Sequence, residues 1–115
     1  MASSSQQYVT GYFESTAAYW RAVYSEDRLL PVIYRDRHDT ALGWIRDLNL
    51  RPDARILEVG CGAGLITVAL AGSGYSVDAL DSATAMLQMT RDAVVHHGVQ
   101  HRVRIHTADV HALPF

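Results

Sequence analysis

The sequence of 115 residues lacks lysine altogether and contains one cysteine, three prolines and no long apolar run. The single cysteine, Cys61, excludes an internal disulfide framework and is typical of a reducing compartment. No apolar run approaches the length of a membrane-spanning helix. The N-terminus, MASSSQQ, has no basic start followed by an apolar segment, so no secretory signal is predicted. These absences favour a cytoplasmic protein with no membrane partner.

A strong excess of charge of either sign is also missing. Ten basic residues, all of them arginine, nearly balance twelve acidic residues, and the formal net charge is −2. This balance gives no electrostatic reason to expect nucleic acid or an acidic membrane as a partner. The absence of lysine is attributed to genome composition rather than to function. The length allows one small domain with a core, but it is short for a complete α/β enzyme.

The first fifty residues favour helices. The first seven are polar and are predicted to fray, a first helix is predicted from about Ser15, and a second from near Leu30 with Pro31 in its first turn. Asn49 and Pro52 then break the pattern. Six of the ten aromatic residues lie between residues 8 and 24, and core packing is their favoured role: Tyr8, Tyr12, Phe13, Tyr19, Trp20 and Tyr24.

From Arg55 onward, short apolar segments alternate with helical ones. RILEV, YSVDALD and RVRIHT read as strands, and the apolar segment AGLITVALAGSG and the amphipathic segment SATAMLQMTRDAVVHHG read as the helices between them. Ser82 is the predicted N-cap of the second of these helices, and Gly98 follows its end. The order β-α-β-α-β predicts an α/β fold with a Rossmann-like parallel sheet, preceded by the N-terminal helices.

The segment ILEVGCGAG places three glycines, Gly60, Gly62 and Gly64, between the first strand and its helix. Ligands of open α/β folds bind at this edge of the sheet, where glycines let a ligand approach the backbone closely. A dinucleotide fingerprint requires G-x-G-x-x-G, but Leu65 occupies the sixth position here. Asp81 lies 21 residues after Gly60, and a carboxylate at that position can accept both hydroxyls of a ribose but repels a ribose phosphate. NADP is therefore disfavoured.

Three segments carry a family resemblance: ILEVGCGAG, VDALD and IHTADVHALPF. They resemble successive motifs of class I S-adenosylmethionine-dependent methyltransferases, and the resemblance covers roughly residues 51–115. The last segment is similar to those of small-molecule methyltransferases, including quinone-biosynthesis enzymes. The N-terminal segment YFESTAAYWRAVYSEDR resembles, more loosely, the helical cap that precedes the fold in such enzymes.

The resemblance implies a role for each matching residue. Glycines of the first motif would lie under the methionine and ribose parts of S-adenosylmethionine, and Glu58 beneath them, near the cofactor's amino group. Asp81 would hold the ribose hydroxyls, Ser82 and Ala83 would line the adenine side, and Asp109 would accept a hydrogen bond from the adenine amino group beside Val110. The predicted cofactor site therefore comprises Glu58, Gly60, Cys61, Gly62, Gly64, Asp81, Ser82, Asp109 and Val110.

Plainer interpretations of the same residues remain open. The glycine segment could be a tight structural turn, Asp81 an N-cap and Asp109 an ordinary loop carboxylate. Cys61 has no adjacent base that would make it a nucleophile. The histidines near the C-terminus do not form a convergent set, so no metal site is predicted.

The resemblance also implies a division of the chain and an open sheet. Residues 1–50 would be a helical cap, and residues 51–115 a cofactor-binding half of a seven-stranded fold that stops after its third strand. The first strand would then lack a neighbour, and self-association through that edge is expected. The acceptor would be a small molecule, and no catalytic residue is assigned. A non-catalytic module that binds cofactor or pairs through the open edge, and a fragment of an NAD-dependent oxidoreductase, are the alternatives.

Overall fold

The computed structural model describes residues 4–25 and 29–115. Two long helices, α1 (Ser4–Ser25) and α2 (Leu29–Asp47), precede the first strand. The remainder alternates strictly and comprises β1 (Arg55–Val59), α3 (Leu65–Gly72), β2 (Ser76–Asp81), α4 (Thr84–His96), a short 3-10 turn (Gln100–Arg102) and β3 (Val103–Thr107). The predicted order of strands and helices in this part is confirmed.

The three strands form one parallel sheet in the order β1-β2-β3, with Ile56 beside Val77 and Val77 beside Val103. The predicted parallel α/β fold is therefore confirmed. Val77 and Ala79 are fully buried under α3 and α4, and the helices contribute most of the core that packs against them. The core cluster consists of Cys61, Leu70, Ala71, Val77, Ala79 and Leu87.

The other face of the sheet carries a buried carboxylate instead of an apolar core. The Asp78 side chain is only 6% exposed, and its oxygens accept hydrogen bonds from Arg104 Nε at 2.9 Å and Arg55 Nη2 at 3.1 Å. His106 Nε2 lies 3.0 Å from Asp78 Oδ1. These partners, Arg104 foremost, hold the pKa of Asp78 well below its usual range despite burial. The cluster joins β1, β2 and β3 across their exposed face.

The first helix begins earlier than the sequence predicts. Residues 4–7 are helical rather than frayed, and α1 starts at Ser4 rather than near Ser15. Serine, threonine, glycine and tyrosine in this stretch are mediocre helix formers, so propensity alone gives no signal. Tertiary hydrogen bonds hold the segment instead: Gln6 Nε2 donates to Ser82 Oγ at 2.9 Å, and the hydroxyls of Thr10 and Ser82 lie 2.7 Å apart.

The prediction that Ser82 caps α4 is wrong. The N-cap is Ala83, which makes no side-chain cap, and Ser82 uses its hydroxyl to bind α1. A residue distant in sequence supplies the cap: Glu14 Oε1 accepts hydrogen bonds from Thr84 N at 2.9 Å and from Thr84 Oγ1 at 2.7 Å. These bonds lower the pKa of Glu14. A carboxylate also complements the positive end of the helix dipole.

The aromatic cluster divides between core and surface. Phe13 packs against the small cluster of Ala17, Ala83 and Met86, as predicted. Tyr8 is 79% exposed and Tyr12 46% exposed, so core packing is wrong for these two residues. The predictions for Tyr19, Trp20 and Tyr24 concern side chains outside the described set. Among the helices described, none combines the length and apolar character needed to cross a membrane.

Candidate functional site

A cavity of about 460 Å³ opens where β1 and β2 end. The glycine loop, residues 60–64, follows β1, and its residues 60–63 form one wall. The end of β2 and the next residue, Ser82, form another. Helices α1 and α2 close the remaining side. The volume falls within the range of small-molecule sites. The cavity is lined by Gln6, Val9, Phe13, His38, Glu58, Val59, Gly60, Cys61, Gly62, Ala63, Leu65, Ile66, Leu80, Asp81, Ser82, Met86, Ala108 and Val110.

The three glycines have a direct conformational cause. Gly60, Gly62 and Gly64 have φ angles of +73°, +56° and +87°, in the left-handed region that residues with a side chain rarely adopt. The loop is also fixed to the neighbouring strand, because Leu80 O accepts hydrogen bonds from Gly60 N at 2.7 Å and Cys61 N at 3.0 Å. The loop is thus a rigid turn that exposes backbone to the cavity.

Asp81 holds two loops with one carboxylate. Its Oδ2 accepts a hydrogen bond from Gly62 N at 3.1 Å, and its Oδ1 accepts one from Ala83 N at 2.9 Å. A carboxylate offers about four acceptor positions. The two backbone donors therefore orient Asp81 and leave acceptor capacity on a side chain that lines the cavity.

Glu58 is the second carboxylate of the cavity, and its environment differs. Burial raises the pKa of Glu58 to about 7, and the charge of Asp81 adds to this effect. A hydrogen bond donated by the Thr67 hydroxyl opposes the shift. Near neutral pH, both the protonated and the ionised forms of Glu58 are therefore populated.

Cys61 lies in the loop, but its thiol is not activated as a nucleophile. Its side chain is buried, and burial raises the pKa of the thiol to about 12. Nucleophilic cysteines require the thiolate. The position of Cys61 Sγ, 3.5 Å from Thr90 Oγ1, makes the thiol part of the packing beneath the loop.

Seven of the nine residues in the predicted cofactor site line the cavity, and two do not. Gly64 lies behind the wall, where it precedes α3 and packs against Thr90. Asp109 Oδ1 accepts a hydrogen bond from His111 N at 2.9 Å, and the cavity wall at this end comes instead from Val110. The lining residues are Glu58, Gly60, Cys61, Gly62, Asp81, Ser82 and Val110. Ala83, the predicted neighbour of Ser82, is buried against α1.

Sequence reasoning missed the wall formed by the N-terminal helices. Gln6, Val9 and Phe13 follow one another at three- and four-residue intervals, the spacing of one helix face. That spacing could have revealed them had the segment been read as a helix. His38 of α2 completes the wall, and burial lowers the pKa of its imidazole. Within the described residues, no three His, Cys, Asp or Glu side chains come together as metal ligands.

Comparison with known proteins gives a consistent family. Residues 56–115 match the family model described as a methyltransferase domain. Over 103 residues, 89% of the chain, the sequence is 31% identical to the ubiquinone biosynthesis O-methyltransferase of Bordetella parapertussis. A ribosomal-protein methyltransferase of Alkalilimnicola ehrlichii is 36% identical over 56% of the chain. The chain spans 38% of the first of these relatives and 22% of the second.

A solved structure shares the fold over almost the whole chain. The magnesium protoporphyrin IX methyltransferase of Synechocystis superimposes with a TM-score of 0.82 and 23% identity, covering 97% of this chain and 58% of that protein. The superposition includes the N-terminal helices as well as the sheet. At this identity the likeness concerns the fold alone.

The Gly64→Ala substitution tests the close approach of the loop to α4. A methyl group at Gly64 would lie 2.9 Å from Thr90 Cα, on a backbone with φ of +87°. We expect the free energy of unfolding to fall by roughly 2–4 kcal/mol because strain and overpacking add. Urea unfolding measures this change. Gly72→Ala is the matched control, since an added methyl there meets nothing within 4 Å, and equal losses for both variants would contradict the assignment.

The Glu58→Gln substitution tests the raised carboxyl pKa. The folded state retains a proton on Glu58 between about pH 4.5 and 7, so wild-type stability contains a contribution that is lost as pH rises through this window. We expect the substitution to remove this loss, roughly 3 kcal/mol, because glutamine still accepts the Thr67 hydrogen bond but does not titrate.

The measurement is urea unfolding of both proteins at several pH values across the window. Glu14→Gln is the control, since the pKa of Glu14 is lowered and its contribution changes only below about pH 4.5. That variant should differ from wild type by a constant amount across the window. A constant difference for Glu58→Gln as well would mean that Glu58 titrates normally.

Proposed function

The chain belongs to the family of methyltransferase domains, and from this premise we propose that it is the cofactor-binding portion of an S-adenosylmethionine-dependent methyltransferase that acts on a small molecule. The observation that carries the proposal is the meeting of the glycine loop and Asp81 at one cavity. We further propose that residues 1–50 form a cap over residues 51–115. The packing of α1 against α4, and of α2 against α3, supports this cap arrangement.

The residues of the cavity suit the proposed cofactor. S-adenosylmethionine combines a cationic amino-acid part with a ribose and an adenine. Gly60 and Gly62 present backbone without side chains, Glu58 offers a carboxylate to a cationic group, and Asp81 retains acceptor capacity for hydroxyls. Apolar side chains, including Ile66 and Met86, line other parts of the cavity and suit a flat ring.

The chemistry asks for alignment more than for covalent catalysis. The bound cofactor supplies an activated methyl group, so a protein need only hold the acceptor in line with it. Loop 60–64 and Asp81 would bind and orient the cofactor, and the wall of Val9, Phe13 and His38 would exclude water from the cavity. We assign no catalytic residue to this chain.

A small-molecule acceptor is favoured over a protein. The similarity to a ubiquinone biosynthesis O-methyltransferase extends over 89% of the chain and therefore reaches the N-terminal helices, whereas the ribosomal-protein methyltransferase matches 56%. The side of the cavity formed by α1 presents Val9 and Phe13, which suit an apolar molecule. An NAD-dependent reaction is disfavoured, since Leu65 begins α3 where the fingerprint requires glycine.

Calorimetric titration of the 115-residue chain with S-adenosylhomocysteine tests the proposed site, with NAD as the comparison ligand. We expect selective binding of S-adenosylhomocysteine, weakened at least tenfold by Asp81→Asn. The asparagine amide would turn an N–H toward a backbone N–H that now donates to the carboxylate.

Asp92→Asn is the matched control for this titration. Asp92 is exposed on α4 and its carboxylate accepts a hydrogen bond from Gln88, away from the cavity. This variant should bind like the wild type. Stronger binding of NAD than of S-adenosylhomocysteine would refute the proposal. Asp109→Asn in the same series decides whether Asp109 reaches the ligand despite lying outside the cavity wall.

A second proposal concerns self-association through the open edge of β1. In the described sheet, β1 pairs with β2 alone. Leu57 and Val59 are 45% and 48% exposed, on the face opposite α3 and α4. If two copies paired antiparallel about Leu57, Arg55 would face Val59 and Ile56 would face Glu58, so no like charges would meet. We propose a second copy of the chain as the partner at this edge.

Leu57→Lys tests this pairing, because a lysine on an open edge opposes strand addition. Size-exclusion chromatography with light scattering should show dimers of the wild type that dissociate on dilution, and monomers of the variant at the same concentration. Val95→Lys is the control, since Val95 is 62% exposed on α4, a helix that packs against β2 and β3. A wild type that is monomeric at every concentration would exclude the proposal.

A further inference from the structure

We propose that Thr90 is a positioning residue that holds the glycine loop in the conformation required by the cofactor, an inference that rests on the proposed function. Thr90 lies in the middle of α4 and its side chain is completely buried. Its hydroxyl donates a hydrogen bond to the carbonyl oxygen of Gly62 at 2.8 Å. The residue does not line the cavity, so it would act through the loop alone.

The Gly62 peptide groups are held from two sides. Gly62 N donates to Asp81 Oδ2 at 3.1 Å, and Gly62 O accepts from Thr90 at 2.8 Å. Both polar backbone atoms of the middle glycine are therefore engaged by side chains, one at the end of β2 and one in α4. Each glycine loses more backbone freedom on ordering than any other residue type, and this loop contains three of them. Fixing it before a ligand arrives lowers the entropic cost of binding.

A short hydrogen-bonded chain runs through the threonine. Because the Thr90 hydroxyl gives its proton to Gly62 O, its oxygen is left to accept from the Cys61 thiol at 3.5 Å. Burial keeps the thiol protonated, which suits this donor role. Hydrogen bonds in such a chain polarise and strengthen one another. Thr90 thus links two successive loop residues to one helix.

The loop also rests directly on the backbone at Thr90. The bare Cα of Gly64 approaches so closely that an added methyl would lie 2.9 Å from Thr90 Cα. The β-branched side chain of threonine has few allowed χ1 rotamers in a helix, so the helix backbone restricts the direction of the hydroxyl. The backbone contact determines where the loop lies, and the hydroxyl determines how its peptide groups turn.

Packing and positioning make different demands on the side chain. If Thr90 only fills space, valine should replace it well and serine should be worse, because serine loses the buried methyl group. If the hydroxyl positions the loop, serine should preserve cofactor affinity and valine should not. Valine would leave Gly62 O without its side-chain donor in a partly buried place, which carries a cost and frees the peptide group to turn.

The experiment compares Thr90→Val with Thr90→Ser in the full 115-residue chain. Titration with S-adenosylhomocysteine gives the dissociation constant, and amide hydrogen exchange followed by NMR reports on the N–H of Gly62 and Gly64. We expect Thr90→Val to raise the dissociation constant about tenfold and to accelerate exchange in the loop. Thr90→Ser should remain within about threefold of wild type.

Val94→Ala is the control for lost stability without loss of a loop contact. Val94 is also buried and lies one turn along α4, and the dissociation constant of this variant should not change.

The outcomes separate this inference from the proposed function. A wild type that binds S-adenosylhomocysteine, together with a Thr90→Val variant that binds equally well, overturns the inference and leaves the function standing. A folded wild type that does not bind overturns both. If Thr90→Val does not fold, Thr90→Ser against Thr90→Ala asks the same question, since these two side chains differ by the hydroxyl alone. Equal affinities of that pair would equally overturn the inference.

Discussion

The C-terminal end of β2 is the point from which the site is organised. Leu80 O accepts hydrogen bonds from two successive N–H groups of the glycine loop, and the Asp81 carboxylate accepts one from Gly62 and one from Ala83. The backbone oxygen of Asp81 accepts a further bond from Ala108 N at 3.1 Å. The loops after β1, β2 and β3 are therefore all hydrogen-bonded to two adjacent residues. Any displacement of this strand end would move every wall of the cavity that the sheet contributes.

The requirement that β2 hold its position explains the charges on the opposite face. Asp78 lies three residues before Asp81 in the same strand, and its buried carboxylate receives Arg55 from β1 and Arg104 from β3. Removing one partner from a buried charge is costly, so the set favours one register of the three strands. A one-residue slip would turn Asp78 toward the apolar core and separate it from both arginines. The charged cluster thus fixes the register that brings the strand ends together.

Local signals explain how much of the fold was predictable from the sequence. The alternation of strands and helices after Arg55 was predictable because each element carries its own apolar pattern, and glycine marks the ends of β1, α3 and α4. The resemblance to class I S-adenosylmethionine-dependent methyltransferases was likewise confirmed, as it depended on contiguous motifs. The glycine loop was recognisable since positive φ angles leave a direct trace in sequence.

The errors occurred where distant residues decide local structure. The start of α1 depends on Gln6 and Thr10 reaching Ser82, and the cap of α4 depends on Glu14, 70 residues away. Such hydrogen bonds override weak helix propensities. No local sequence pattern shows which distant residue will be the partner. The same long-range contacts place α1 against the cavity. For this reason the sheet side of the candidate site could be predicted, whereas the wall of Gln6, Val9 and Phe13 could not.

The two carboxylates of the cavity, Asp81 and Glu58, differ in their hydrogen-bond partners and in their burial. Asp81 accepts hydrogen bonds from two backbone N–H groups, which fix the orientation of its carboxylate. Glu58 receives one hydroxyl and is otherwise buried, and the nearby charge of Asp81 further disfavours its ionisation. Below about pH 7 the empty cavity therefore avoids a second negative charge, because Glu58 is mostly protonated there. A cationic group beside Glu58 would restore its ionisation, so that the second charge is formed where and when a ligand can neutralise it.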